Sequence, residues 1–206
     1  MISRMDDNFK RETTSLKKKQ FLCGGKRKKM LETAPTVHGG FLPKRFFVTS
    51  GSATSNVSPL NAFDAALSKA SIAQCNLVCV SSILPPGAEI VEGGLNITPG
   101  TITFSVLAQM AGDPGETIGA GIGWGWGVRS DGTKYGIVAE AHGYKDKGAI
   151  EKELRWKLQE MSKIRELTLE KIESKVDDME VPKGRYGTVV VALVYVPWSE
   201  EESMRI

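Results

Sequence analysis

The sequence predicts an α+β fold whose sheets are mainly antiparallel. Residues 118–128 alternate strictly between glycine and larger side chains, which is the two-residue period of a strand. Two segments, starting at residues 59 and 147, show the apolar spacing of amphipathic helices. Most of the remaining apolar segments follow one another without an intervening helix. This order favours antiparallel neighbours over parallel strands joined by helical crossovers.

The composition is typical of a soluble globular protein, with 41% hydrophobic and 25% charged residues among 206. No apolar run reaches the roughly 18 residues that a membrane-spanning helix needs. The N-terminus lacks the apolar segment of a secretory signal. Three cysteines at positions 23, 75 and 79 form an odd set without metal-ligand spacing. We therefore expect a reduced, cytoplasmic protein with no metal site.

Charge divides the chain into two parts. Residues 1–45 hold twelve Lys or Arg and four Asp or Glu, whereas the remainder holds 15 basic and 20 acidic residues. Residues 1–44 lack hydrophobic periodicity, so we predict a basic, disordered arm there and a folded domain at 45–206. A basic arm can bind nucleic acid, but its two lysine-rich runs contain no aromatic residue. We favour a solubilising tail, or an upstream start added to a protein that begins near Met30.

The folded domain is expected to begin near Phe46 with a short strand that ends at Gly51, and the polar residues 50–57 are expected to form a loop. Ser58 and Pro59 are typical of a helix start, with serine as the N-cap and proline in the first turn. We expect this helix to end near Ala70. Its predicted apolar face consists of Leu60, Phe63 and Leu67.

A buried strand is predicted over residues 76–80, which are rich in β-forming side chains. Two serines follow it, and the prolines within residues 83–87 then end regular structure. Residues 101–110 are predicted as the next strand, and residues 111–115 as a turn.

The second half begins with the alternating strand 118–128, whose glycine face implies that another layer approaches closely. A strand over 135–142 follows. Apolar residues from position 150 to position 176 then indicate one amphipathic helix over roughly 147–177. A strand over 186–196 completes a predicted set of about six strands and two helices.

Ser81 and Ser82 are the candidates for chemistry. A strand ends at this pair and two prolines follow, and such a turn can hold a peptide bond under strain. A serine hydroxyl placed against the preceding carbonyl can attack it and give an ester. Elimination then leaves dehydroalanine, whose hydrolysis releases ammonia and leaves a pyruvoyl group. A serine pair is more often an ordinary strand end, so the pair alone does not decide.

Longer motifs resemble the pyruvoyl-dependent arginine decarboxylase family. In order they are PLNAFD at 59–64, NLV at 76–78, VSSILPP at 80–86, AEIV at 88–91 and DPGETI at 113–118, followed by the strand with Glu140 and the predicted long C-terminal helix. The resemblance covers about residues 46–197 and keeps the order and spacing of the motifs. Residues 1–44 have no counterpart in it.

This resemblance implies a self-cleaving enzyme that turns L-arginine into agmatine and CO₂. It implies cleavage between Ser81 and Ser82, with help from Asn76, so that Ser82 becomes a pyruvoyl group. The pyruvoyl carbonyl condenses with the substrate amine, and this Schiff base withdraws electrons as CO₂ leaves. The family also implies an αββα sandwich subunit, a homotrimer of αβ units and active sites between neighbours. No exogenous cofactor is implied.

The resemblance also assigns side-chain roles. Glu140 matches the acid that protonates the carbanion, and Asp64 matches the residue that receives the guanidinium. We expect His142, on the Glu140 face, to be a strand-end residue without a catalytic role. Without the resemblance, Glu140 and Asp64 read as exposed surface carboxylates. The residues expected to wall the pocket are Leu60, Leu67 and Ile83.

Two alternatives stay open. The same chemistry could act on another amino acid, although an aspartate at position 64 argues for a cationic side chain. The chain could also be a binding homologue that never cleaves and that binds its partner through the basic arm. Nucleic acid is the less favoured partner of that arm.

Overall fold

The computed structural model describes residues 41–93 and 95–197. The predicted arm therefore lies outside the described residues except for its last four positions, as does the end of the predicted domain. The described part contains two helices and nine strands. In chain order these are β1 Arg45–Ser55, α1 Pro59–Lys69, β2 Asn76–Cys79, β3 Ile83–Leu84, β4 Glu89–Ile90, β5 Ile102–Gly112, β6 Thr117–Arg129, β7 Lys134–Gly143, α2 Lys147–Ile164, β8 Leu167–Glu180 and β9 Tyr186–Tyr195.

Two sheets lie face to face between the two helices. One sheet has the strand order β2-β5-β9-β1-β4 and the other has the order β3-β7-β6-β8. Helix α1 packs against β1 and β9, helix α2 packs against β6, β7 and β8, and β5 and β9 contact β6 across the interlayer. The predicted α+β class is confirmed, and the layering agrees with the αββα sandwich that the resemblance implied.

Most strand pairs are antiparallel, as predicted. The two parallel pairs in the described part are short, with β4 beside β1 and β2 beside β5. Strand β9 lies at the centre of its sheet and pairs antiparallel with both β1 and β5. Its residues 187–195 are all buried, so β9 forms the middle of the core.

The glycine face of β6 lies against helix α2, which confirms the predicted close approach of another layer. A Cβ at Gly121 would lie 2.7 Å from Cγ2 of Ile150 and 2.9 Å from Cδ1 of Leu154. Both contacts are too short for real side chains. Glycine at this position therefore allows the buried face of α2 to rest directly on the strand.

Strand β1 is longer than predicted. Residues 50–55, expected as a loop, continue the strand and pair one by one with β9, from Ser50 opposite Val191 to Ser55 opposite Tyr186. The prediction was wrong because small polar residues here serve close helix packing. A Cβ at Gly51 would lie 2.2 Å from the carbonyl oxygen of Ala66 in α1.

Helix α1 begins and ends as predicted, but its buried face differs. Ser58 caps it by accepting a hydrogen bond from the Asn61 amide, and Ala70 is the C-cap. Ala62 and Ala66 are the fully buried residues of the helix, whereas the side chain of Leu60 is 73% exposed. The expected face was wrong at Leu60 because small residues, four apart, let the helix lie close to β1.

The predicted helix over 147–177 is wrong in its second half. Helix α2 ends at Ile164, and Glu166 has φ of 54°, a left-handed conformation that reverses the chain. Strand β8 then pairs with β6 along its length. The apolar residues Ile172 and Val176 misled the prediction, because a spacing of four fits one helix face and one strand face equally well.

The prediction for residues 76–80 was right about the strand and wrong about its burial. Strand β2 is an edge strand, and Asn76, Val78 and Cys79 on it are exposed. Strands β3 and β4 lie in a segment predicted to be irregular; each has two residues and forms only a short ladder. No helix of the described residues is long and apolar enough to cross a membrane.

Candidate active site

The two candidate serines lie where the chain passes from one sheet to the other. The Val80 amide donates to the Ser105 carbonyl of β5 at 3.0 Å, in the five-stranded sheet. The Ser82 carbonyl accepts from the Val138 amide of β7 at 3.0 Å, in the four-stranded sheet. Ser81 is exposed and Ser82 is half-buried. The peptide bond between the serines is thus a link between sheets, with a main-chain hydrogen bond on each side.

A three-residue turn holds the carbonyl of this peptide bond. The Ile83 amide donates to the Ser81 carbonyl oxygen at 3.1 Å, so that Ser82 is the central residue of the turn. The carbonyl of Ile83 in turn accepts a hydrogen bond of 2.7 Å from the hydroxyl of Tyr195. Burial raises the pKa of Tyr195 to about 12, so this hydroxyl carries its proton at neutral pH.

Strand β7 places Glu140 beside the serine turn. Ile83 pairs with Ile137, and the Val138 amide binds the Ser82 carbonyl, so Glu140 lies one diagonal step from Ser82. Cβ atoms of such diagonal neighbours are about 7–8 Å apart. The carboxylate of Glu140 is exposed in the single chain. Among the predicted site residues that are distant from Ser82 in sequence, Glu140 is the one that strand pairing among the described residues brings next to it.

Helix α2 binds the main chain of Glu140 from the other side. Nζ of Lys157 donates to the Glu140 carbonyl at 2.9 Å. The same ammonium forms an ion pair of 2.7 Å with Glu153, which also pairs with Lys145 at 2.6 Å. Hydrogen bonds from Lys145 and Lys157 hold the pKa of the Glu153 carboxyl below its usual value. Glu153 therefore stays ionised and fixes the lysine that contacts β7.

Asp64 and Asn76 lie elsewhere in the single chain. Asp64 is exposed on α1, and no hydrogen bond or ion pair among the described residues joins it to Ser82. Asn76 starts β2, and its side-chain amide donates to the Gly100 carbonyl at 2.9 Å. Four extended residues, or about 13 Å, separate Asn76 from Val80.

The three expected wall residues are not gathered into one cavity of the single chain. Leu60 is mostly exposed. Leu67 packs between its own helix α1 and the five-stranded sheet, and Ile83 packs on the α2 side of β7. A cavity of about 410 Å³ lies between β1 and the segment after β4. Another of about 310 Å³ is lined in part by Trp126 and Glu170. Neither is lined by Ser82.

The described residues offer no metal site. Within residues 41–93 and 95–197, no three His, Cys, Asp or Glu side chains lie close enough to hold an ion. His142 is exposed near the end of β7, opposite Ala120.

Two residues that contact the serine turn or β7 were not predicted from the sequence, namely Tyr195 and Lys157. A weak signal existed for Tyr195, because a phenol within the apolar strand 186–196 needs a hydrogen-bond partner when buried. For Lys157 there was none, since its helix carries lysines on several faces.

Comparison with known proteins gives one family. The sequence model of the pyruvoyl-dependent arginine decarboxylase family matches residues 45–200. A protein named pyruvoyl-dependent arginine decarboxylase 1 in Methanosarcina mazei is 42% identical over 109 residues, which is 51% of this chain and 64% of that protein. The chain thus matches less than two thirds of this relative's length.

Two further relatives match over longer segments, and both are named pyruvoyl-dependent arginine decarboxylase. The protein of Thermococcus sibiricus is 35% identical over 158 residues, which is 76% of this chain and 97% of that protein. The protein of Methanocella arvoryzae is 33% identical over 170 residues, which is 76% of this chain and 98% of that protein.

Proposed function

Because the chain belongs to the pyruvoyl-dependent arginine decarboxylase family, we propose that it converts L-arginine to agmatine and CO₂ with a pyruvoyl group made from Ser82. One observation supports this proposal above the others. The bond between Ser81 and Ser82 lies where the chain crosses from one sheet to the other, and its carbonyl oxygen already accepts a hydrogen bond. A serine pair at an ordinary strand end needs neither feature.

The residues present fit a prosthetic group made from the chain itself. Residue 82 brings the hydroxyl that the chemistry needs, and its carbonyl is held by Val138. After cleavage, this hydrogen bond and the pairing of β3 with β7 keep the new chain start on the four-stranded sheet. The preceding residues end on the five-stranded sheet through Val80. Both ends therefore stay anchored when the link between them is broken.

In the decarboxylation itself, the pyruvoyl carbonyl supplies the electron sink for the loss of CO₂. Glu140, beside residue 82 along β7, delivers the proton that replaces the carboxylate on the substrate carbon. Asp64 receives the guanidinium through two charge-assisted hydrogen bonds. Leu60, Leu67 and Ile83 line the apolar part of the substrate's path.

The complete site requires more than one subunit. No hydrogen bond or ion pair of the described residues joins Asp64 or Asn76 to Ser82, so we assign these roles across an interface of a homotrimer, with Asn76 assisting self-cleavage there. The edge strand β2 supports an interface, because no strand of the described residues pairs with its outer side and Val78 on it is exposed. Ile102, on the neighbouring strand, is 64% exposed.

We also propose that the working domain is 45–206, that the arm 1–44 is dispensable for activity, and that the enzyme is cytoplasmic. The charge division of the sequence and the family match from residue 45 support the domain boundary.

A substrate panel tests the proposed activity. Purified protein is incubated with arginine, lysine, ornithine or citrulline, each labelled at the carboxyl carbon, and released CO₂ is counted. Arginine should react, with agmatine as the product, and lysine should react far less because its ammonium lacks the planar fork of the guanidinium. Stronger release from another amino acid would change the substrate. No release from any of them, with the chain uncut, would identify a binding homologue.

A further inference from the structure

We propose that Tyr195 is a positioning residue for self-cleavage: its hydroxyl fixes Ile83 so that the Ile83 amide donates to the carbonyl oxygen of the scissile bond. The inference rests on the proposed function, since it needs the bond between Ser81 and Ser82 to break.

Tyr195 connects the two sheets at the serine turn. It lies on β9, at the centre of the five-stranded sheet, and is 3% exposed. Its hydroxyl donates at 2.7 Å to the carbonyl of Ile83, which belongs to the four-stranded sheet. Ser82, not Ile83, binds Val138 of β7 there, so the Ile83 carbonyl points away from that strand. Tyr195 thus supplies the partner of a main-chain acceptor that the sheet leaves unpaired.

The other polar group of Ile83 faces the reaction. Its amide donates at 3.1 Å to the Ser81 carbonyl oxygen. When Oγ of Ser82 attacks the carbonyl carbon, negative charge develops on this oxygen, and an amide already aimed at it stabilises that charge. The Ile83 amide therefore has the place of an oxyanion donor in the first step.

This first step needs no other reactant. A bond forms between Oγ of Ser82 and the carbonyl carbon of Ser81, and the carbon–nitrogen bond between the two residues breaks. The hydroxyl proton ends on the nitrogen of Ser82, so the ester is an isomer of the starting peptide. In the second step the Cα proton of Ser82 passes to a base, the Cβ–Oγ bond breaks, and Ser81 leaves as a carboxylate. The enamine left at residue 82 regains a proton on Cβ and becomes an imine, which water hydrolyses to the pyruvoyl carbonyl with release of ammonia.

The ladder that holds the main chain around Ile83 is short. Strand β3 has only two residues, and its ladder with β7 consists of Ile83 and Leu84. The Ile83 side chain packs against the core on the α2 side, but its carbonyl has no partner in that ladder. A hydrogen bond from a buried phenol on the central strand of the other sheet adds a rigid support. That phenol carries its proton at neutral pH, as tyrosine does in water, and burial raises its pKa further.

The test is the substitution Tyr195→Phe, which keeps the ring and removes the hydroxyl. The full chain is followed on denaturing gels as it converts from one band to two. We expect the half-time of cleavage to lengthen about ten-fold or more, because one aligned oxyanion donor is worth about 10²–10³ and the variant misaligns it without removing it. After cleavage, kcat and KM for arginine should stay within about two-fold of wild type, because the Ile83 amide acts before substrate binds.

Tyr186→Phe is the matched control. Tyr186 lies at the other end of β9 and is half-buried, and no hydrogen bond of its hydroxyl is found among the described residues. Tyr186→Phe should cleave at the wild-type rate. The assay is run at a temperature at which circular dichroism shows all uncut chains to be folded. If the slowing disappears under that condition, Tyr195 only stabilises the fold and the inference is wrong.

Hydroxylamine identifies the step. It cuts esters rapidly and leaves peptide bonds intact, so it speeds scission only where the ester has formed. We expect it to leave Tyr195→Phe slow, because this variant forms the ester slowly. Rapid scission of Tyr195→Phe after hydroxylamine is added would show that the ester forms normally and that Tyr195 acts in the elimination step. This result would overturn the inference. A wild-type rate of cleavage in Tyr195→Phe would also overturn the inference. A wild-type chain that never cleaves would instead contradict the proposed function.

Discussion

The main-chain carbonyl of Glu140 accepts a hydrogen bond of 2.9 Å from Nζ of Lys157, and this contact ties the strand beside the serine turn to helix α2. Continuing the β3–β7 register would place Val80 opposite Glu140, but the Val80 amide binds Ser105 in the other sheet. At Glu140, the main chain of β7 therefore has no strand partner on the β3 side among the described residues. Lys157 provides the partner there, and Glu153 holds Lys157 in place.

Lys157→Met should lower kcat for arginine by about five-fold, the equivalent of one ordinary hydrogen bond of about 1 kcal/mol. KM and the rate of self-cleavage should change little, because Lys157 touches only the main chain of the proposed proton donor. Lys163→Met is the control, since Lys163 pairs with Glu160 on the same helix. Equal losses in the two variants, or none in Lys157→Met, would refute the positioning role.

Glu140→Gln should still cleave but lose about 10²-fold or more in turnover, because the amide cannot donate a proton as a carboxylic acid does. Cleavage is read from denaturing gels and turnover from CO₂ release. His142→Gln changes the next residue on the same strand face and should keep wild-type turnover. If Glu140→Gln decarboxylates arginine normally, the proton comes from another group.

Asp64→Asn keeps the side-chain volume and removes the charge. It should cost about 2–5 kcal/mol in kcat/KM for arginine, because the guanidinium loses its ionic partner in a partly dry site. Self-cleavage should continue, since it needs no substrate. Steady-state kinetics with arginine and with lysine measure the change. An unchanged kcat/KM for arginine would place the guanidinium elsewhere and leave the substrate supported by family membership alone.

Sequence patterns predicted the elements whose signals are local. The Ser58-Pro59 pair located the start of α1, and the glycine alternation of residues 118–128 located β6 and the close approach of another layer. Sequence patterns failed where the helical and strand periods coincide, as for Ile172 and Val176 in β8. They also failed for residues 50–55, whose small polar side chains serve packing against α1 and not a loop.

The candidate site was predictable only in part, for a physical reason. Motif resemblance indicated Ser81, Ser82 and Glu140, and the structure puts Glu140 beside Ser82 through the register of β3 with β7. The contacts of Tyr195 and Lys157 join elements that are far apart in sequence, and no local pattern encodes them. We propose that Asp64 and Asn76 act across a subunit interface, and neither a single sequence nor a single chain contains the second subunit.

Gel electrophoresis with intact-mass analysis of the purified wild type and Ser82→Ala tests the central claim most directly. The wild type should give fragments of 81 and 125 residues, the two parts of the 206-residue chain on either side of the proposed cut. The larger fragment should resist Edman sequencing, because pyruvoyl replaces its terminal amine. Ser82→Ala should remain one intact chain and release no CO₂ from arginine, because it lacks both the nucleophile and the precursor of the pyruvoyl group. A wild type that stays intact, or a Ser82→Ala protein that decarboxylates arginine, would contradict the account.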